Sequence, residues 1–248
     1  MRSKLAIRGL AAALSLACSP AGASGLQVAP IGLEFAPASP AQGLWLTNTG
    51  DKPLHAQTRV FHWTQANGKD ELTATQAMLT SPPMLDLAPG GRQLVRVIRT
   101  GAAATVGEDA FRVLVDELPQ PDPQRQASSV EYVLRYSIPV FVGGAPPVAG
   151  AAAASTLQAS FERGSDGLAL VVHNAGARHV QLSNVSLLGA DGHEQLLSAG
   201  LLGYVLPGMT MRWPLPAPAG AFDAGVRLKA RINGEAVEQT IAVSALPR

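Results

Sequence analysis

Short runs of alternating apolar and polar residues dominate the chain, and they constrain its fold more than any other feature. Pro, Gly, Asn and Asp interrupt these runs about every 8–12 residues. A period of two places one side of each run against a core as a β-strand, whereas the 3.6-residue period of an amphipathic helix is scarce. Many short strands separated by turn residues are typical of β-sandwiches and barrels. The pattern therefore predicts an all-β protein.

The predicted strands fall into two groups. In the first half of the chain they cover residues 26–35, 43–48, 54–63, 92–99, 110–118 and 130–142. In the second half they cover residues 157–161, 168–174, 180–188, 204–206, 211–215, 226–232 and 236–243. The small, Gly- and Pro-containing residues 143–155 between the groups are typical of a domain boundary. We predict two immunoglobulin-like β-sandwich domains, residues 24–145 and 150–248.

The first 23 residues have the three parts of a secretory signal peptide. Arg2, Lys4 and Arg8 form a basic start, residues 9–17 form an apolar run, and residues 21–23 form a small-residue cleavage site. The apolar run is too short to span a bilayer, and no later run reaches the roughly 18 apolar residues of a membrane helix. We expect export without membrane insertion. The only cysteine, Cys18, lies in this segment, so the mature chain has no thiol.

The mature chain offers little chemistry for nucleic-acid binding or catalysis. Removal of the signal leaves 16 of the 19 Lys and Arg against 18 Asp and Glu, a net charge of −2, which does not support nucleic-acid binding. The five histidines are His55, His62, His173, His179 and His193. They lack metal-ligand spacing, and no nucleophile elbow or phosphate loop is present. We therefore expect a binding protein without enzymatic activity, cofactor or metal.

The most informative run is the last predicted strand of the first half, residues 130–142. Its even positions are all apolar: Val130, Tyr132, Leu134, Tyr136, Ile138, Val140 and Val142. At about 3.3 Å per residue the run extends for roughly 40 Å, and it is longer than the usual strand of about 5–6 residues. Periodicity alone leaves two interpretations open. The run is either a long core strand that continues into the linker or an exposed edge offered to a partner.

An ordered set of short motifs resembles the periplasmic pilus chaperones of the chaperone–usher pathway, over nearly the whole mature chain. In the first half the motifs are residues 44–50 (LWLTNTG), 81–83 (SPP), 87–90 (LAPG), 95–97 (VRV), 108–113 (EDAFRV), 117–119 (ELP) and 138–141 (IPVF). In the second half they are residues 173–176 (HNAG), 180–182 (VQL), 206–208 (LPG) and 213–215 (WPL). Each motif alone is unspecific, but their order behind a signal peptide favours the resemblance to this family.

The resemblance implies two immunoglobulin-like domains in a boomerang arrangement, located in the periplasm. It also implies donor-strand complementation, in which a chaperone strand fills the groove of a pilin that lacks its last strand, until delivery to the outer-membrane usher. Transferred to this sequence, the inserted row is Val130, Tyr132, Leu134, Tyr136 and Ile138. The exposed edge that this mechanism requires also makes self-association of the unliganded protein an expectation.

The chain departs from the better-known branch of that family where the carboxylate at the pilin's C-terminus is anchored. That branch uses an Arg and a Lys, and the matching positions here are Pro30 or Ile31 and Pro139. Proline offers neither the charge nor an amide N–H. The start at residues 26–30 and the ending at residues 138–141 are more similar to the archaic or spore-coat-like branch. A carboxylate still favours a guanidinium, and the candidates are Arg112, Arg96 and Arg135.

The main alternative is a secreted two-domain β-sandwich adhesin or carbohydrate-binding protein. Such a protein needs an exposed aromatic platform, and the chain has only three Trp and three Tyr. Trp45, Trp63 and Trp213 lie in strand patterns that predict core positions. A hydrolase with an unrecognised site is a second alternative, although no Ser, His and Asp grouping has a useful spacing.

Overall fold

The structure, a computed structural model, describes residues 25–101, 107–119, 133–143, 150–164, 167–189, 191–215, 225–235 and 238–244. The predicted signal peptide and two residues of the proposed inserted row, Val130 and Tyr132, lie outside the described residues. Within the described ranges, no helix combines the length and the apolar character needed to cross a membrane.

The first half of the chain forms two sheets that face each other across a core. The strands are β1 (Leu26–Ala29), β2 (Leu33–Phe35), β3 (Ala41–Asn48), β4 (Leu54–Ala66), β5 (Lys69–Ala74), β6 (Met78–Ser81), β7 (Met84–Leu87), β8 (Arg92–Arg99), β9 (Glu108–Leu118) and β10 (Arg135–Gly143). One sheet has the order β1-β3-β8-β6, and the other has the order β2-β10-β9-β4-β5, with β7 paired to β4. We refer to them as sheet A and sheet B.

The prediction of one strand over residues 26–35 is wrong, because the chain changes sheets in the middle. β1 pairs with β3 in an antiparallel arrangement in sheet A, whereas β2 pairs in parallel with β10 in sheet B. Pro30 lies between the two strands. Since proline has no N–H to donate to a ladder, it ends the first pairing and lets the second begin.

The hairpin of β4 and β5 extends the first domain toward the second. β4 continues to Ala66, beyond its predicted end at residue 63, and turns back at Asn67 and Gly68, whose φ angles are 53° and 72°. Two successive positive φ angles are typical of a type I′ hairpin turn. Every residue of β5 is exposed. Because neither face of β5 meets a core, its sequence lacks the alternation that would predict a strand.

The second half of the chain forms another sandwich. Its elements are α1 (Gly150–Ala154), β11 (Leu157–Gly164), β12 (Gly167–Asn174), β13 (Val180–Leu188), β14 (Glu194–Val205), β15 (Thr210–Pro214), β16 (Arg227–Ile232) and β17 (Glu238–Ser244). The strand order is β14-β13-β16-β17-β11-β12-β15. The helix α1 lies in the stretch that the sequence predicts as a linker. The fold class predicted from the sequence is confirmed, and the exact domain boundaries stay a prediction.

Each sandwich has its own hydrophobic core, and a third apolar cluster joins them. Leu44, Leu46, Val95, Val97 and Val113 are among the fully buried residues of the first core. Leu170, Leu182, Leu228 and Ile232 are among those of the second core. The third cluster contains Trp63, Ala110 and Phe141 from sheet B and Leu206 from the second domain, with Tyr204 packed against it. This cluster holds the two sandwiches together.

Candidate subunit-binding edge and interdomain cleft

The strand β10 is paired along one side and only partly paired along the other. Its whole length, Arg135–Gly143, pairs with β9. On the other side, β2 pairs with β10 only at Val140, Phe141 and Val142. In the described part of the chain, the outer edge of β10 from Arg135 to Pro139 therefore has no strand partner. An unpaired edge of this kind presents backbone groups that another strand can bind.

The direction of the free backbone groups follows from one hydrogen bond. The Glu117 N–H donates to the Leu134 carbonyl oxygen at 2.9 Å, so Leu134 faces β9. In an antiparallel pair the backbone groups alternate, and those of Arg135, Ser137 and Pro139 therefore point away from β9. Pro139 fits this geometry, because a residue whose backbone groups point away from β9 donates no N–H to β9. Arg135 and Ser137 are left with an outward N–H and an outward carbonyl each.

The even-numbered side chains of β10 face the core of the first domain, and their burial decreases toward Leu134. Ile138 is 3% exposed and belongs to that core, together with Val140 and Val142. Tyr136 and Leu134 are half-buried at its margin. The Tyr136 hydroxyl donates to the Leu26 carbonyl oxygen at 2.6 Å. The assignment of Ile138 to the inserted row is therefore wrong, because its side chain already fills the core of its own domain.

The odd-numbered face of β10 carries an ion-pair network at the start of the open edge. Arg135 and Arg59 both pair with Asp116, and the Arg59–Asp116 distance is 2.7 Å. Desolvation alone would raise the pKa of Asp116, but the hydrogen bonds from the two arginines outweigh it and lower the pKa. Arg135 remains 65% exposed. Of the three candidate arginines, Arg135 is the one on the strand with the open edge.

The other two candidate arginines lie elsewhere. Arg112 is in the interdomain cluster, where its guanidinium lies 3.6 Å from the centroid of the Trp63 ring and 4.0 Å from Asp70. Burial lowers the pKa of Arg112, and the nearby Asp70 carboxylate opposes this effect in part. Arg96 is exposed on the outer face of sheet A. The fold does not bring Arg112, Arg96 and Arg135 together as one anion site.

A cleft of about 580 Å³ lies between the two domains beside Pro139. Glu34, Pro139 and Phe141 line it from the first domain, and Arg178, His179 and Glu235 are among the residues that line it from the second. Pro139, which the resemblance matches to a basic anchor of the better-known branch, therefore lines this cleft.

A charged cluster closes the inner wall of the cleft. Glu108, whose side chain is 0% exposed, lies 3.3 Å from Arg178, and its Oε1 is 2.8 Å from both the backbone nitrogen and Nδ1 of His179. Arg178 also donates to Glu34 at 2.6 Å. The His179 ring stacks on Phe141 with the centroids 3.4 Å apart. Since Glu34, Glu108 and Phe141 belong to the first domain, this cluster joins the domains.

The charge of the cleft does not favour a carboxylate. Glu34 and Glu235 line the cleft, Glu108 is buried behind it, and Arg178 is already paired with Glu34 and Glu108. A carboxylate that enters this wall would have to compete for the guanidinium against Glu34 and the buried Glu108. Sequence reasoning missed this cluster, although Glu108 lies in one of the motifs, because its partners are about 70 positions further along the chain.

Hydrogen bonds also connect the hairpin of β4 and β5 to the second domain. The Gln65 side-chain amide donates to the Tyr204 carbonyl oxygen and accepts from the Leu206 N–H, both at 2.9 Å. The Arg212 N–H donates to the Gly68 carbonyl oxygen at 3.2 Å. Together with the apolar and charged clusters, these bonds fix the position of the cleft relative to the open edge of β10.

The described residues offer no recognisable metal site, since no group of three or more His, Cys, Asp and Glu side chains within them is arranged to hold an ion. Trp63 is buried at 1% exposure, as predicted, and Trp213 is half-buried against the second core. Trp45 is 37% exposed, so the prediction that it is a core residue is wrong. It points outward because Leu44 and Leu46, its neighbours on β3, point inward.

A family model described as pili and flagellar-assembly chaperone, PapD N-terminal domain, matches residues 25–145. The first domain of this chain belongs to the pilus-assembly chaperone family. The resemblance that the sequence motifs indicate is therefore confirmed. Chaperones of this family assist folding and assembly and are not enzymes. A comparison of the sequence with curated proteins finds no match.

Solved structures of pilus chaperones share the fold over most of the chain. The CsuC–CsuE complex of a chaperone and a tip adhesion subunit, from the archaic Csu pili of Acinetobacter baumannii, has a TM-score of 0.67 at 22% identity and covers 90% of this chain and 99% of its own. The CupB2 chaperone of Pseudomonas aeruginosa gives 0.58 at 18%, with 86% and 97% covered. The SafB–SafA complex of Salmonella enterica gives 0.60 at 17%, with 89% and 97% covered. At these identities the similarity shows the fold.

Proposed function

We propose that this chaperone binds pilus subunits in the periplasm by donor-strand complementation and delivers them to an outer-membrane usher. The observation that carries the proposal is the open edge of β10 between Arg135 and Pro139. The apolar row on the same strand is only partly buried at Tyr136 and Leu134, at the margin of the core. Two of the structures with this fold are complexes of a chaperone with a tip adhesion subunit and with the SafA pilin. Both are consistent with a subunit as the partner.

The incoming subunit strand would bind the outward backbone groups of Arg135 and Ser137 and cover the apolar row upstream of Ile138. Without Ile138, the proposed inserted row consists of Val130, Tyr132, Leu134 and Tyr136. Full burial of an apolar side chain contributes about 1.5–3 kcal/mol, and Leu134 and Tyr136 contribute less because they are already half-buried. Association costs an estimated 4–15 kcal/mol. Backbone pairing and residues 130–133 must therefore supply much of the affinity.

Arg135 is the anion-binding candidate that the geometry of the edge supports. Its side chain is 65% exposed and shares Asp116 with Arg59, so it can turn to a subunit carboxylate without leaving Asp116 unpaired. Arg112 is less suitable because Trp63, Tyr204 and Asp70 surround it. The absence of a basic residue at Pro139 and the motif at residues 138–141 support membership of the archaic branch.

The experiment uses two neighbouring apolar residues on opposite faces of the same segment. Leu134→Asp places a charge in the proposed inserted row, and Val133→Asp places the same charge on the other face, where Val133 is 49% exposed. Each variant is produced in the periplasm together with the cognate pilin, and the amount of soluble pilin that co-purifies is measured. Leu134→Asp should recover at least about tenfold less pilin, which corresponds to a loss of about 1.4 kcal/mol or more.

Thermal unfolding of each purified variant serves as the control for folding. The proposal is refuted if Leu134→Asp remains folded and recovers as much pilin as the wild type. It is also refuted if Val133→Asp and Leu134→Asp reduce recovery equally, because the alternation of the row would then have no role. Co-purification with the isolated N-terminal domain of an usher tests the delivery step separately.

A further inference from the structure

The outer face of sheet A has an unusual composition. The four strands β1, β3, β8 and β6 contain no Lys, Asp or Glu, and their only charged residues are Arg92, Arg96 and Arg99, all on β8. A solvent-exposed sheet face normally carries mixed charges. Depletion of Lys, Asp and Glu with retention of Arg and Trp is the composition found in the core of protein–protein interfaces.

The apolar residues of this face form rows that cross the strands. Trp45 on β3 lies opposite Leu94 on β8 and Ala29 on β1. Leu79 on β6 lies opposite Ile98 on β8. Trp45 and Leu79 are 37% and 42% exposed. We call the surface formed by Trp45, Leu79, Arg92, Leu94, Arg96 and Ile98 the arginine–tryptophan face.

The arginines of this face lack acidic partners among the described residues. The Arg92 guanidinium lies 4.0 Å from the centroid of the Trp45 ring, and Arg96 is exposed on the same side of β8. Arg99 instead donates to the Pro37 carbonyl oxygen at 2.8 Å. The surface thus combines two exposed guanidinium groups with an apolar strip, and it has no carboxylate of its own on any of its four strands.

A strand of the second domain provides a contrast within the same chain. β16 also carries two exposed arginines four positions apart, Arg227 and Arg231. Between them, Lys229 pairs with Glu194 at 3.2 Å and with Glu238 at 3.1 Å. Charges on that face are therefore mixed and locally compensated, whereas those on the arginine–tryptophan face are of one sign.

We propose that the arginine–tryptophan face binds an acidic, partly apolar segment of a partner protein. Arg and Trp are the residues most enriched among those that dominate binding energy at protein interfaces. Paired guanidinium groups bind carboxylates through charge-assisted hydrogen bonds. A lipid surface is the less suitable occupant, because the Arg92 guanidinium lies 4.0 Å from the centroid of the Trp45 ring and covers one face of the ring that would have to insert.

The position of the face separates this site from the open edge of β10. The arginine–tryptophan face is the outer side of sheet A, whereas β10 belongs to sheet B on the other side of the core. A partner on this face can therefore bind while β10 is occupied. The inference goes beyond the proposed function and does not depend on it.

The test uses the whole mature protein and a fluorescent synthetic peptide in which Glu alternates with Leu and Ser. Fluorescence anisotropy at low salt measures its affinity, and a peptide with Lys in place of Glu is the charge control. Arg92→Gln combined with Arg96→Gln should weaken binding of the Glu peptide at least about tenfold. The matched double variant Arg227→Gln with Arg231→Gln should leave the affinity unchanged. Trp45→Leu should weaken binding without abolishing it.

Three outcomes would overturn the proposal. One is equal binding of the Glu and Lys peptides, and another is unchanged affinity in the folded Arg92 and Arg96 double variant. The third is binding to phosphatidylglycerol vesicles with no binding of the Glu peptide, which would identify a lipid surface as the occupant. Leu134→Asp should bind the Glu peptide like the wild type, so failure of the proposed subunit binding and failure of this site are distinguishable.

Discussion

Replacing Ser137 with proline tests the open edge of β10 without disturbing the fold of the first domain. The Ser137 side chain is exposed and its backbone groups point away from β9, so the substitution removes no hydrogen bond within the domain. Pro139 has the same orientation two residues further on, and β10 already accommodates it there. Proline is tolerated at edge positions whose N–H faces outward. We expect the free energy of unfolding to fall by less than about 1 kcal/mol, since only the local φ angle is restricted.

The effect on subunit binding should be larger. The variant loses the one outward N–H in the middle of the open edge, and a net hydrogen bond contributes about 0.5–1.5 kcal/mol. The pyrrolidine ring also occupies the space that an incoming strand would enter. A loss of about 1 kcal/mol corresponds to roughly fivefold weaker binding, and the steric effect adds to it. Recovery of soluble cognate pilin from the periplasm should therefore fall at least about fivefold.

Two matched variants define how the result is interpreted. Ser137→Ala keeps the N–H and should recover pilin like the wild type. Tyr136→Pro removes an N–H that faces β9 and a side chain that packs against the core, so it should unfold the domain. Circular dichroism and thermal unfolding establish which variants are folded. If folded Ser137→Pro recovers as much pilin as Ser137→Ala, backbone pairing at the β10 edge is not how the subunit is held.

Two further predictions concern buried carboxylates. Glu108→Gln weakens the contacts with Arg178 and His179 across the domain interface and should lower the free energy of unfolding by about 1–3 kcal/mol; an unchanged urea midpoint would contradict this. Asp116 has a lowered pKa in the folded protein, so its contribution is complete above its unfolded pKa of about 3.9 and is lost as the pH falls through the folded pKa. Asp116→Asn should therefore be less stable than the wild type at pH 7, and the difference should shrink in urea unfolding below about pH 4; a constant difference would argue against the ion pairs.

The sequence predicts the longer strands well where one face meets a core, but it does not predict β6 and β7, two strands of four residues that also alternate against the core. β8 and β13 have the predicted bounds, because buried and exposed side chains alternate along β8 and apolar residues recur along β13. β5 has no buried face, and β14 is an edge strand with irregular register against β13, so neither shows a regular alternation. The division of residues 26–35 between two sheets is a tertiary effect. Pro30 marks the break, but alternation continues on both sides of it.

The candidate site was predicted in part. The alternation of residues 130–142 predicts which side chains share a face, and the structure agrees from Leu134 to Val142. How many residues of that face are buried depends on how far the opposite sheet extends over them. The sequence of β10 carries no information about the extent of that sheet. Ile138 was therefore assigned to the partner although it packs inside. The cluster of Glu108, Arg178 and His179 was missed because contacts between distant segments have no local pattern.

Pro139 gives this edge two unusual properties, the lack of a charge and the lack of an N–H. The resemblance matches its position to a basic anchor, whereas proline has no charge, and it also lacks the N–H that a partner strand would need at that point. Just beyond it, β2 covers β10 from Val140 onward. The open edge of β10 is therefore short, and within Arg135–Gly143 the outward N–H groups without a strand partner are those of Arg135 and Ser137. Two such groups cannot hold a subunit alone, so binding must extend upstream of Leu134, and substitutions at Val130 and Tyr132 should reduce subunit recovery more than any at Ser137.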